Sequence, residues 1–218
     1  MNAVIAGRFD SALVIAVARE LAGHLSEPPA LGAGIAYCYG NRLEMAKVDF
    51  KNPSWPDGIA ELKTDLALIC LNQPGQDRPL LHRGRSRSWS LDITGPVPQL
   101  PADVPSPATA SWTRPSFSNR PEDRFFAHLV ECFDPHDPVG SIEACRVKDS
   151  SPPRFFFLAP DALVLDSGSV PEPELLFGRA QMVRVVSPVR LESVIGAEWE
   201  PVSPLTVLAL TRFRHSLA

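Results

Sequence analysis

Apolar positions divide the chain into short runs separated by polar or proline-containing turns. Asn2-Ala-Val-Ile-Ala is a brief apolar run, Gly7-Arg-Phe-Asp-Ser reads as a turn, and small and branched apolar residues dominate Ala12 to Leu25. This predicts a strand over Ala3–Ala6 and a helix over Ser11–His24, with Asp10 or Ser11 as its N-cap. Arg19 and Glu20 are the charges well inside that helix, so it should be buried on more than one face. Gly34–Tyr39 reads as a second strand, Leu43–Ala46 as a short connecting piece and Lys47–Phe50 as a third strand. Trp55–Lys63 reads as a short helix with Pro56 in its first turn. Asp65 to Leu71 is a continuous apolar run of the kind found in a parallel sheet covered on both faces. A helix near Arg78–Arg85 and a strand near Trp89–Ile93 follow.

Gly95 to about Pro121 is rich in Pro, Ser, Thr and Ala and carries no hydrophobic period, so it reads as a long loop or crossover. Beyond it come an amphipathic helix, Glu122–Phe133, and strands near Ile142–Val147, Arg154–Leu158, Ala162–Leu165, Gln181–Val186 and Thr206–Thr211. The alternation of strands and helices in the first half predicts an α/β fold. Its expected form is a Rossmann-like parallel sheet with a ligand crevice at the carboxyl ends of its strands. The expected division is a dinucleotide-binding domain over 1–97, a Pro-rich crossover over 98–121, and a smaller strand-rich α+β part over 122–218.

Composition narrows the function classes. At 218 residues the chain can bury a sizeable core, and a formal net charge of −4 argues against a dominant nucleic-acid or anionic-membrane surface. No apolar run approaches the roughly 18–20 residues that cross a bilayer. The 23 prolines are well above the usual share of about 5%. Cys38, Cys70, Cys132 and Cys145 show no paired metal-ligand spacing, and Cys38 and Cys70 lie in apolar strand-like runs. The expectation is a reduced, cytoplasmic protein without a structural zinc, acting on a small molecule and binding neither nucleic acid nor membrane. A homodimer is left open.

The opening turn carries the chemical expectation. A strand entering a helix through a glycine turn presents unpaired N–H groups to a phosphate. Gly7 fits the tight turn and Ala12 the small third position, while Phe9 or Asp10 replaces the middle glycine of G-x-G-x-x-G. Two readings stay open: a modified dinucleotide loop in which Arg8 or Ser11 meets phosphate, and a scaffold that has lost its cofactor. Arg42, after the second strand, favours a 2′-phosphate and hence NADP over NAD. Elsewhere, Asp134-Pro-His136-Asp137 suits turn formation better than a metal or acid/base site. His128 reads as a boundary histidine, Ser167-Gly-Ser169 as a hairpin loop, and His82 to Arg87 as a solvated basic face. No residue stands out as a general acid or base.

One further pattern emerges from Val48-Asp49-Phe50-Lys-Asn52-Pro53, Asp65 to Asn72, Gln73-Pro-Gly75-Gln76-Asp77 and Asp92-Ile93-Thr94-Gly95. In this order they resemble the NAD(P)-binding domain of saccharopine-dehydrogenase-like oxidoreductases over roughly residues 1–97. The resemblance implies that Gly7, Ser11 and Ala12 line a pyrophosphate turn and that Arg42 sits by the adenosine 2′ position. It places Asp49 near the adenine and Asn72, Gln73 and Gly75 on the nicotinamide side. It implies an NAD(P)-dependent oxidoreductase. The alternatives are a non-catalytic Rossmann-like binding or regulatory protein, or an α/β transferase.

Overall fold

The computed structural model describes residues 2–25, 33–39, 42–48, 64–71, 80–83, 88–94, 97, 100, 121–146, 151–169 and 173–211. The first apolar run forms β1 (Asn2–Phe9) and leads into helix α1 (Ser11–Gly23). Asp10 is the N-cap, accepting a hydrogen bond from the Leu13 amide at 3.0 Å. Then come β2 (Ala33–Tyr39), β3 (Arg42–Val48), β4 (Thr64–Cys70), β5 (Leu80–Arg83) and β6 (Ser88–Thr94). The later part supplies α2 (Pro121–Cys132), α3 (Pro138–Ala144), β7 (Arg154–Leu158) and β8 (Ala162–Asp166). It ends with β9 (Leu176–Arg179), β10 (Val183–Ser187), β11 (Glu198–Pro201) and β12 (Val207–Thr211).

These strands build two sheets, of order β11-β9-β10-β1-β4-β2-β3 and β12-β8-β7-β6-β5. Every pairing in both is antiparallel. The expected parallel Rossmann sheet is therefore corrected to two stacked antiparallel sheets. The reason lies in what an apolar run encodes. In β4, Ala67 and Ile69, with Leu71 just beyond, pack toward α1, while Leu66, Leu68 and Cys70 pack toward the second sheet. Burial on both faces follows equally from helices on both sides of a parallel sheet and from a sheet wedged between a helix and another sheet. Both sheets draw strands from either side of residues 98–121.

Four layers result. Helix α1 covers the outer face of the seven-stranded sheet through Val14, Val17, Ala18 and Leu21. Between the sheets, Val4, Ala6, Leu66 and Leu68 meet Phe156, Leu158, Leu163 and Leu165. On the far side, α2 and α3 cover the five-stranded sheet, and Phe125 packs edge-on against Phe155 with ring centroids 5.6 Å apart.

Several local expectations change. Leu43–Ala46 and Lys47–Val48 form one strand, β3, paired along its length with β2, and residues 49–50 lie outside the described residues. The helix expected near Arg78–Arg85 is strand β5, held by β6 in the register Leu80↔Leu91 to Arg83↔Ser88. The strand expected near Ile142–Val147 is preceded and largely replaced by α3, whose N-cap Asp137 accepts from the Gly140 amide at 3.1 Å. Pro138 stands in the first turn of α3, where its missing N–H costs nothing. β9 and β11 were not expected. The helix expected over Trp55–Lys63 lies outside the described residues.

Two contacts fix how β1 and α1 sit. Gly7 has φ +126° at a bulge where the β1–β4 register shifts, and a β-carbon there would lie 2.1 Å from the Met182 carbonyl oxygen. Gly7→Ala is expected to destabilise by roughly 3 kcal/mol, combining backbone strain with a clash against backbone. Gly196→Ala, at φ +70° but in open space, should cost about 1 kcal/mol. Chemical denaturation of both variants checks this ordering. Glu20 on α1 accepts hydrogen bonds from the Glu192 amide, from the Ser193 amide at 3.0 Å and from the Ser193 hydroxyl at 2.7 Å. Burial alone would raise its pKa, but the bonds from Ser193 and Glu192 outweigh that and lower it. A depressed folded-state pKa contributes stability that is present above the unfolded carboxyl pKa and lost as pH falls through the folded one. Stability measured from neutral pH downward should thus fall less steeply in Glu20→Gln than in the native chain once pH drops below about 4.5.

Candidate functional site

Strand direction decides which residues can share a site. In the register of β1 with β4, Asn2 faces Cys70, Ala6 faces Leu66 and Phe9 faces Thr64. Gly7 and Leu71 therefore lie at opposite ends of the sheet, about 20 Å apart along the strand direction. In a parallel sheet the two strand tips would have met at one crevice.

The expected cofactor residues fall accordingly. Gly7 lies within β1 and not in the turn before α1, and the Arg8 amide bonds the Met182 carbonyl at 2.9 Å. Arg8 and Ala12 are exposed, Ser11 is half-buried as the first residue of α1, and Phe9 packs on the core beneath the helix. The carboxylate of Asp10 already occupies the helix N-terminus, where a phosphate would have to bind, and would repel one. Arg42 opens β3, the edge strand, three strand spacings or about 14 Å from β1. Asp49, Asn72, Gln73 and Gly75 lie outside the described residues.

The opposite end of the sandwich, where β1 begins, gathers most of the buried polar groups. Asn2 is half-buried there, and Cys70, facing it in register, is fully buried. Ser187 follows Val186, which pairs with Val4, and its buried hydroxyl accepts from the Val189 amide at 3.2 Å. The second sheet contributes Arg154 at the start of β7 and Asp166 at the end of β8. Two bonds align the sheets end to end. The Cys38 thiol reaches the Ala159 carbonyl at 3.5 Å, joining the far ends of β2 and β7. Arg154 donates to the Pro173 carbonyl at 2.7 Å, just before β9, whose Leu176 is in register with Ser187.

Asp166 is fully buried and accepts from Arg146 Nε and Nη2, each at 2.9 Å, and from the Gly168 amide at 2.9 Å. Arg146 also donates to the Leu205 carbonyl at 2.9 Å. The hydrogen bond to Asp166 raises the pKa of Arg146, whereas burial lowers that of Arg154. Ser167 donates to the Ser203 carbonyl at 3.0 Å and accepts from the Thr206 amide at 2.9 Å. With these bonds made, Asp166 and Ser167 act as fasteners between β8, β12 and the adjoining loops. Ser167-Gly-Ser169, with Gly168 at φ +61°, is not the expected hairpin loop, because it leaves β8 in the five-stranded sheet for β9 in the other.

On the distal layer, Asp134 accepts from the His136 amide at 2.8 Å and Asp137 caps α3, so both carboxylates shape the turn. His128, Cys132 and Cys145 come within 4.8 Å of one another there. Their sequence separation hid that grouping.

Compared with solved structures, the chain is similar over 96% of its length to glutamine phosphoribosylpyrophosphate amidotransferase from B. subtilis, complexed with ADP and GMP, at 17% identity and TM-score 0.60. It covers 47% of that protein, so it spans about half its length. It is also similar, over 96% of its length in each case, to a predicted glutamine amidotransferase from Pseudomonas aeruginosa (11% identity, TM-score 0.56) and to a glutamine aminotransferase class-II domain protein from Silicibacter pomeroyi (12%, 0.53). It covers 92% and 94% of those two chains. No family model and no curated protein matches the sequence. The fold is similar to that of these amidotransferases. This overturns the resemblance to saccharopine-dehydrogenase-like oxidoreductases, the NAD(P)-dependent oxidoreductase reading and the NADP or NAD cofactor. A degenerate glycine turn and an apolar strand occur in both architectures, and only strand direction separates them. Among the described residues, no helix is long and apolar enough to cross a membrane.

Removing the Asp166 charge tests the fastener role. Asp166→Asn leaves the Arg146 guanidinium partly buried beside a neutral amide, and should destabilise by about 2–4 kcal/mol. At roughly 2–4 °C per kcal/mol for a chain of this size, thermal unfolding should drop by about 5–15 °C.

Proposed function

We propose that this chain is a glutamine-amidotransferase-like domain that does not hydrolyse glutamine, and serves instead as a binding or regulatory element built on that fold. The observation that carries this reading is the first strand. The likeness to amidotransferases spans 96% of the chain, and the strand at its start carries no nucleophile. An N-terminal nucleophile is a Ser, Thr or Cys whose own α-amine serves as the base. Strand β1, Asn2–Phe9, contains no Ser, Thr or Cys. The carboxamide of Asn2 can donate and accept hydrogen bonds but cannot attack a carbonyl as a thiolate does. Cys70 does not replace it, because its thiol is fully buried within the apolar sandwich and a glutamine cannot reach it. The Asp166 carboxylate, held by Arg146 and the Gly168 amide, is likewise committed to structure.

Ammonia release from glutamine tests the reading. The purified chain, shown by cooperative thermal unfolding to be folded, should release none above buffer. An electrophilic glutamine analogue should add no mass to the peptide containing Asn2. Sustained ammonia release from glutamine, or covalent labelling of the first strand, would overturn the proposal.

A further inference from the structure

The packing of α2 against α3 assembles a ligand set that neither helix has alone. His128 and Cys132 stand four residues apart on α2 and so share one face of that helix. Cys145 caps the C-terminus of α3, its amide bonded to the Ser141 and Ile142 carbonyls, which fixes where its side chain starts. The Cys132 sulfur lies 3.7 Å from His128 Nδ1 and 3.8 Å from Nε2, and one ligand atom from each of the three residues lies within 4.8 Å of the others. Around a tetrahedral zinc, with Zn–S near 2.3 Å and Zn–N near 2.0 Å, sulfur–nitrogen separations are about 3.5 Å and sulfur–sulfur separations about 3.8 Å. Closing the trio onto an ion therefore needs side-chain rotation and no rearrangement of the helices.

Two further features suit a metal. The backbone of Cys145 lies against the His128 ring. An imidazole that ligates through one nitrogen is commonly held by a backbone contact at the other. His128 and Cys132 are half-buried while Cys145 is buried, so the cluster has an apolar floor and an open side that water can reach. A neutral imidazole is the ligating form, and a bound divalent ion deprotonates a coordinating thiol outright.

We infer that His128, Cys132 and Cys145 bind one zinc-class divalent ion, with water in the fourth position, and that this ion clamps α2 to α3. The site lies on the outer face of the five-stranded sheet, away from β1, so it stands independently of the amidotransferase-like reading. Binding releases the two thiol protons to solvent and involves no change of oxidation state.

Cobalt(II) is the probe, added to the full chain under reducing conditions. The expected result is one equivalent bound, thiolate-to-cobalt charge-transfer absorption with two-sulfur character, and displacement by zinc. Cys132→Ser and Cys145→Ser should each weaken binding at least tenfold, His128→Gln should do the same, and Cys38→Ala should leave it unchanged. Alkylation of the unmutated chain provides a readout that needs no variant: zinc should protect Cys132 and Cys145 together. Absence of thiolate absorption, its persistence in Cys132→Ser, or equal alkylation of both cysteines with and without zinc would each overturn the inference. So would mild oxidation forming a Cys132–Cys145 disulfide in a chain that binds no cobalt.

Discussion

The antiparallel hydrogen-bonding of β1 between β4 and β10 is the constraint on which the rest of the molecule depends. A strand paired on both edges cannot slip by one residue without turning its buried side chains to the wrong face. Here that fixes Ala3 and Ile5 beneath α1 and Val4 and Ala6 against the second sheet. It also fixes polarity along the strand: Asn2 lies at one end beside Cys70, and Gly7 and Phe9 lie at the other, toward Thr64. Gly7 absorbs the bulge at that far end because its lack of a β-carbon lets the Met182 carbonyl approach.

From that arrangement follows a division of labour between the two ends and the outer layers. Cys38 and Arg154 each tie one sheet, or its connecting loops, to the other, so the sandwich is fastened at both ends. At the Asn2 end, Asp166, Ser167, Arg146 and Arg154 spend their hydrogen-bonding capacity on backbone carbonyls, amides and one another. Buried polar groups so thoroughly paired hold loops in place and have little freedom to exchange protons with a ligand. In a fold similar to that of amidotransferases, these polar groups hold the loops at one end of the sandwich. The thiol and imidazole chemistry sits elsewhere, between two helices on the outer layer.

The misreadings of local structure have identifiable physical causes. Leu80 to Arg83 is too short for periodicity to separate helix from strand, and pairing with β6 decides it. Glu198-Trp-Glu-Pro201 is polar and contains a proline, which suits an edge strand such as β11, where an N–H can be spared. Leu176-Phe-Gly-Arg179 carries a glycine inside a strand, a signal more often seen in turns. For α3, the local signal fits two structures, because Asp137-Pro138 suits both a turn and an N-cap followed by proline in the first turn.

The sequence by itself determined the first strand, α1 with a cap at Asp10 or Ser11, α2, the strand cores of β2, β4, β6, β7, β8, β10 and β12, and the burial of Cys38 and Cys70. Each rests on a local period, a cap or an apolar run. Tertiary structure alone decided strand direction, because alternation encodes which face is buried and says nothing about which way a neighbour runs. It also decided which polar residues meet, since Arg146 with Asp166, and His128 and Cys132 with Cys145, come from separate elements whose spacing in the chain does not encode their distance in space.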